Sequence, residues 1–239
     1  MYKRILLKLS GEALKDNAEN QIVSADAIKT FASIIKKLHE EGFEVGVVIG
    51  AGNIWRGKFA KTVNIEPIPA DYMGMLGTVI NAVMMSSNLK NSGVPTIVYS
   101  AVPAIEGVTE TYDIESARQS LSEGKVCFFA GGTGKPFYTT DTAASLRASE
   151  LDFDAILIGK NGVDGVYDKD PRENSNAVFL KKVTYQYMLE NKLQIIDLSA
   201  VKLIKDRNID VRIFSMQDPD NFIKVAHGED IGTTLIKGE

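Results

Sequence analysis

The sequence predicts an α/β fold: a mostly parallel sheet with helices on both faces. Strand-like and helix-like segments alternate from end to end, and the strand-like ones are short runs rich in Val, Ile and Leu, as in strands buried on both sides. Small-residue loops follow several strands, as tight strand-to-helix connections require.

In chain order, Lys3–Leu9 reads as the first strand and runs into Ser10-Gly11. Ser24–Glu41 reads as a helix: Ser24 is a suitable N-cap, Ile28, Phe31, Ile35 and Leu38 share one face, and Gly42 ends it. Phe43–Ile49 is a strand ending in Gly50-Ala51-Gly52-Asn53. A long, almost uncharged helix is expected over Asp71–Lys90, stopped by Gly93-Val94-Pro95. Thr96–Ser100 is a strand, Ile114–Leu121 a helix capped by Asp113 and followed by Gly124, and Lys125–Ala130 a strand ending in Gly131-Gly132-Thr133-Gly134. Thr142–Leu151 reads as a helix capped by Thr140 or Asp141. Ala155–Gly159 is a strand, Val163–Asp170 a turn and short strand closed by Pro171, and Arg172–Ala177 a loop tip. Short helices are expected around Gln186–Glu190, Ala200–Asn208 and Asn221–His227, and strands at Val211–Ser215 and Thr233–Ile236. No internal repeat or linker divides the chain, so residues 1–239 are expected to form one domain.

Composition excludes several classes. The net charge of −4 argues against a dedicated nucleic-acid binder. No apolar run approaches the roughly 18 residues of a membrane span. The apolar start is broken at Lys8 without a small-residue cleavage site, unlike a signal peptide. The lone Cys127 has no internal disulfide partner, as suits a reducing compartment, and its place in a strand marks it as core. His39 and His227 lack partners at metal-ligand spacing.

The chemistry is expected beyond the carboxyl ends of the strands. Four small-residue loops lie there: Leu9–Glu12, Gly50–Asn53, Gly131–Gly134 and Gly159–Gly162. Their backbone amides suit phosphate oxygens, and four on one edge suit a ligand with several phosphates. Two familiar motifs fail. Gly132-Thr133-Gly134-Lys135 is followed by Pro136, where a Walker A loop needs Ser or Thr, and position 129 is Phe where its first Gly belongs. Gly50-Ala51-Gly52-Asn53-Ile54 leads to Trp55, where a dinucleotide fingerprint needs its third Gly.

Single residues leave alternatives open. Lys8 is either an edge-strand lysine facing water or a buried cation awaiting an anion. Arg56 is either a surface arginine or a fork for phosphate. Asp71 either caps the long helix or holds a ribose. Thr139-Thr140-Asp141 is either a capping cluster or supplies a carboxylate that orients lysines or magnesium. Met73, Met75, Met84 and Met85 are core or subunit-contact residues.

Five stretches together carry a family resemblance. They are Lys8-Leu-Ser-Gly-Glu-Ala13, Ile49-Gly-Ala-Gly-Asn-Ile-Trp-Arg-Gly57, Asp71-Tyr-Met-Gly-Met-Leu76, Gly132-Thr-Gly-Lys-Pro-Phe-Tyr-Thr-Thr-Asp141 and Val163-Asp-Gly-Val-Tyr-Asp-Lys-Asp-Pro171. In this order they closely resemble the bacterial-type UMP kinases (uridylate kinases) of the amino acid kinase superfamily, and the likeness runs on through Gly228–Leu235. The Asp71-x-Met-Gly-Met and Gly132-Thr-Gly-x-Pro-Phe-x-Thr-Thr-Asp stretches are the specific ones. Lys8-x-Ser-Gly marks only the superfamily.

The resemblance implies a three-layer α/β/α sandwich with an open, mostly parallel sheet, in a cytoplasmic homohexamer. It implies γ-phosphoryl transfer from magnesium-bound ATP to UMP, in pyrimidine nucleotide synthesis. On the ATP side it implies Lys8, Leu9, Ser10, Gly11, Gly52, Arg56, Asn161, Tyr167 and Asp170. On the UMP side it implies Ala51, Asp71, Thr133, Gly134, Lys135, Pro136, Phe137, Tyr138, Thr139 and Thr140. Lys8, Arg56 and Asp141 are the expected catalytic residues, with Asp141 positioning the lysine and no residue binding a metal directly. Ala51 replaces a glycine common in the family, so this turn must keep negative φ. The resemblance also implies UTP inhibition. Where relatives hold activating GTP through arginine and histidine, the aligned positions here are Ser86, Lys90 and Ile97, so GTP activation is expected to be weak or absent. The competing readings are a relative acting on a carboxylate or carbamate, and a nucleotide storage or sensor protein without turnover.

Overall fold

The computed structural model describes residues 2–15, 21–191, 193 and 196–238. Strand β1 (Arg4–Leu9) leads through a single 3₁₀ turn at Gly11–Leu14 to helix α1 (Ala25–Glu40), capped by the Ser24 hydroxyl. β2 (Glu44–Ile49) is followed by α2 (Pro67–Asn91), then β3 (Thr96–Ser100), β4 (Glu110–Thr111), α3 (Ile114–Ser122) and β5 (Val126–Ala130). The second half contains α4 (Thr140–Glu150), β6 (Ala155–Lys160), a small hairpin of β7 (Val166–Tyr167) and β8 (Phe179–Leu180), and β9 (Lys182–Thr184). It closes with α5 (Tyr185–Glu190), α6 (Leu198–Ile204), β10 (Asp210–Ser215), α7 (Asn221–Ala226) and β11 (Thr233–Ile236).

Among the described residues, nine strands form one sheet in the order β4-β3-β5-β2-β1-β6-β10-β11-β9. Its pairings are parallel except β10 with β11. One face packs on α1, α2 and α7, through residues such as Phe31, Met85 and Phe222. The other packs on α3 to α6, through Leu121, Ala148, Met188 and Val201. The chain is therefore the expected α/β/α sandwich.

Strand parity places the first chemical group. Ile5, Leu7 and Leu9 point into the α1/α2/α7 core, whereas Leu6 points into the other. Lys8 has the parity of Leu6 and so faces the layer containing α4. Lys8 pairs in register with Val48 on β2 and Ile158 on β6, at the carboxyl edge. Here β1 leads to a helix on one face and β6 to helices on the other, so a crevice opens between them.

The structure corrects several boundaries. The long helix begins at Pro67, not Asp71, with Glu66 at its cap position. Proline suits the first turn, where its missing N–H has no intrahelical partner. Asp71 thus lies inside the helix and caps nothing. Thr139, rather than Thr140 or Asp141, caps α4 by accepting from the Thr142 N–H. The helix expected at Ala200–Asn208 spans Leu198–Ile204, with Asp197 before it. Ala51 keeps negative φ, as its turn requires.

Candidate active site

Two glycine loops rest on α2. The Asn81 side-chain amide, fully buried, donates to the Gly50 carbonyl at 2.8 Å and to the Asn53 side-chain oxygen at 2.8 Å. Asn53 returns a bond to Asn81 at 3.1 Å and also donates to the Ile22 carbonyl at 2.9 Å. The Thr78 hydroxyl accepts from the Gly131 N–H at 2.8 Å and donates to the Met75 carbonyl at 2.6 Å. Buried polar groups are costly unless paired, and these are paired with the loops they hold. A third loop locks against the first: a Cβ on Gly11 would lie 2.3 Å from the Gly50 carbonyl oxygen. Only glycine admits that approach.

Between these loops Lys8 Nζ lies 2.7 Å from Asp141 Oδ1, with side-chain exposures of 14% and 16%. That oxygen has no aligned hydrogen bond, so the contact is Coulombic. The Lys8 reading as an edge lysine facing water is therefore excluded. Lys160 ends β6 beside the pair. Burial pushes its amine below the ordinary lysine value; Asp141 and Asp197 oppose that shift, and Lys8 reinforces it. Thr139 donates to the Asp197 carboxylate, which ties the start of α4 to the start of α6.

Arg56 Nη2 lies 2.7 Å from Glu12 Oε1, and Arg56 Nε donates to the Gly52 carbonyl at 3.2 Å. The Asp71 carboxylate accepts from the Phe137 N–H at 2.7 Å, fastening the Gly131–Thr139 loop to α2. Phe137 has φ 69°, a left-handed conformation rare for a bulky residue, and is 71% exposed.

Two cavities reach residues next to the Lys8–Asp141 pair: Thr140 lines one and Lys160 the other. One, of about 290 Å³, gathers Ala51, Gly52, Arg56, Asp71, Tyr138, Thr139 and Thr140, with Trp55 in its wall. The other, of about 570 Å³, gathers Asn161, Tyr167 and Asp170 and is bordered by Lys160. Arg172 holds Asp170 through bonds of 2.8 and 3.0 Å and lowers its carboxyl below the usual range.

Not every expected residue joins these cavities. Thr133 and Lys135 border a separate space with Tyr112 and Arg147. Gly134, Pro136 and Phe137 line neither main cavity. The Leu9 side chain is in the core, so only its backbone reaches the edge. Ser10 accepts the Glu12 N–H at 3.3 Å, leaving Ser10-Gly11 as the turn beside Lys8. Sequence reasoning missed Lys160, Asp197, Glu12 and Asn81. Lys160 had a signal, a cation at a glycine-flanked strand end like Lys8. Asn81 had another, an amide in an apolar helix.

Each cavity carries a cation: Arg56 lines the smaller and Lys160 the larger, and Lys8 lies on the strand that pairs with that of Lys160. Among the described residues, neither lining contains a histidine or cysteine. Cys127 is buried, with its thiol pushed up to about 12.

Comparison with known proteins identifies the family of the chain. The model of the amino acid kinase family matches residues 3–215. A uridylate kinase of Mesoplasma florum is 45% identical over 99% of this chain and 98% of its own. One from Streptococcus thermophilus is 42% identical over 98% and 95%. A solved UMP kinase of Bacillus anthracis superposes with a TM-score of 0.95 at 36% identity, covering 100% of this chain and 97% of that one. The UMP kinase of Ureaplasma parvum gives 0.92 at 34%, covering 99% and 100%.

Proposed function

The chain belongs to the amino acid kinase family, and on that footing we propose that it is a UMP kinase, transferring the γ-phosphoryl group of ATP to UMP to give UDP and ADP. The observation that carries this reading is the Lys8–Asp141 pair, whose neighbours line two cavities of different character.

In this reading the larger cavity takes the adenosine of ATP, beside Asn161, Tyr167 and Asp170. The smaller takes UMP, with Asp71 toward the ribose. Tyr138, Thr139 and Thr140 line that cavity and would contact the base and phosphate, whereas Thr133, Gly134, Lys135, Pro136 and Phe137, on the loop fastened to Asp71, would reach UMP only from outside its lining; Ala51 and Gly52 offer backbone amides. Lys8, Leu9, Ser10 and Gly11 cradle the donor phosphates.

A loose phosphoryl-transfer transition state needs alignment and positive charge more than a base. Lys8 supplies charge to the transferring group, and Asp141 holds it there. Lys160 faces the same group from the neighbouring strand, and Arg56 approaches from the acceptor side. The UMP phosphate oxygen attacks in line, the γ-phosphorus bond to the β-bridging oxygen breaks, and ADP leaves with that electron pair. Asp141 is committed to Lys8 and Asp197 to Thr139, so the donor set fits a magnesium ion held through ATP rather than by the protein. Magnesium arriving with ATP would add positive charge to the β and γ oxygens.

On this reading the enzyme works in the cytoplasm, in pyrimidine nucleotide synthesis. Among the described residues, no helix is long and apolar enough to cross a membrane. Met73, Leu76 and Ile80 make an exposed apolar stripe at helical spacing on α2, which supports assembly with further copies of the chain as a homohexamer. Light scattering should report six copies. An ADP-release assay offering UMP, CMP, glutamate or carbamate tests the activity. UMP should support turnover far above the rest, and equal rates or none would overturn the reading.

A further inference from the structure

Lys8 and Arg56 each have a carboxylate partner, but the partners differ in kind. Asp141 is mostly buried and sits on the first turn of α4 beside Lys8. Glu12 sits on the turn after β1, its side chain 49% exposed, and its carboxylate engages Nη2 of Arg56, whose side chain lines the acceptor cavity.

We propose that Glu12 is a counter-anion of Arg56 that an incoming phosphate must displace from Nη2. The proposal rests on the reading of Arg56 as a phosphate-binding residue. A guanidinium fork pairs equally well with a carboxylate or a phosphate, so both compete for one set of N–H groups. The Glu12 stem is held close: a Cβ on Gly52 would come within 2.9 Å of Glu12 Cγ. The Glu12 N–H is fixed by the Ser10 hydroxyl at 3.3 Å. The carboxylate therefore stays near Arg56 and recaptures it when the nucleotide leaves. Arg56 Nε keeps its 3.2 Å bond to the Gly52 carbonyl, so exchange at the fork needs only the Nη groups to change partner.

The pair is solvent-exposed enough to be weak, which makes displacement cheap and release fast. A fork occupied for most of the time lowers apparent affinity by the fraction left open. For an exposed pair that is about two- to six-fold.

Titration calorimetry on the full-length chain tests this with Glu12→Gln, using UMP and uridine as separate probes. Glutamine keeps the shape and still accepts from Arg56 but lacks the charge. The Kd for UMP should fall about two- to six-fold, whereas the Kd for uridine, which has no phosphate, should not move. Thermal unfolding should match wild type. An unchanged or raised Kd for UMP overturns the proposal, as does a parallel change for UMP and uridine. If neither protein binds UMP, the assignment of the acceptor cavity falls and the proposal with it.

Discussion

Lys8 of β1 and Asp141 of α4 meet at 2.7 Å, two elements far apart in the chain brought together at the carboxyl edge of the sheet. Strand parity aims Lys8 at the α4 layer. The Thr139 cap, two residues before, leaves the Asp141 carboxylate free to receive it. In the proposed mechanism this pair supplies positive charge to the transferring group.

Asp71 is the most direct probe of the acceptor side. It caps no helix, so Asp71→Asn tests its ligand role alone. Asparagine can still accept the Phe137 N–H, but it loses the charged acceptor for ribose hydroxyls. Steady-state kinetics should show KM for UMP raised about ten-fold, with KM for ATP unchanged. Equal KM values in mutant and wild type would remove Asp71 from the ribose.

The burial of Lys160 predicts a pH dependence. Its amine is depressed below the ordinary value of 10.5, chiefly by burial. Between the depressed folded value and that unfolded value, the unfolded chain binds more protons, so this group's contribution to stability rises with pH. Below the folded value the buried charge is a standing cost. Urea unfolding should therefore find Lys160→Met more stable than wild type near pH 7, with the difference shrinking toward pH 10. If its cation serves transfer, kcat should also fall on an alkaline limb below the usual lysine range. Lys160→Arg should abolish that limb, because arginine keeps its charge. A limb unmoved in Lys160→Arg would assign it to another group.

If effectors bind where the family resemblance implies, three positions set the response. Ser86 is buried, its hydroxyl 2.7 Å from that of Thr96. Ile97 packs against the core of the α4 layer. Lys90 alone is exposed, at the last turn of α2, where a lysine suits the helix dipole. Initial rates at fixed ATP and UMP should stay flat as GTP is raised to millimolar levels, while UTP inhibits by entering the UMP cavity. A severalfold rise with GTP would contradict this.

Much of this was legible in the sequence where local rules decide. Ser24, Asp113 and Gly42 mark their helix ends because caps and left-handed glycines act within a few residues. The strands Thr96–Ser100 and Thr233–Ile236 stand where apolar runs place them. Failures came where distant contacts decide. Strands β4, β8 and β9 are two or three residues long and exist only through pairing, β4 with β3 and β8 with β7 across intervening loops and β9 with the remote β11. The start of α2 was misplaced because two prolines, Pro67 and Pro69, look like helix breakers but fit a first turn. In the site, the glycine loops, Lys8, Arg56 and Asp141 could be read from motifs. Lys160 and Glu12 could not be assigned, because their meaning lies in what stands opposite them in space.

The most direct measurement is the rate of UDP formation by Lys8→Met beside wild type, each shown folded by circular dichroism. If Lys8 supplies preorganised charge to the transferring phosphoryl group, kcat should fall on the order of 10²–10³-fold while the fold persists. Near-normal turnover in a folded Lys8→Met protein would contradict the account.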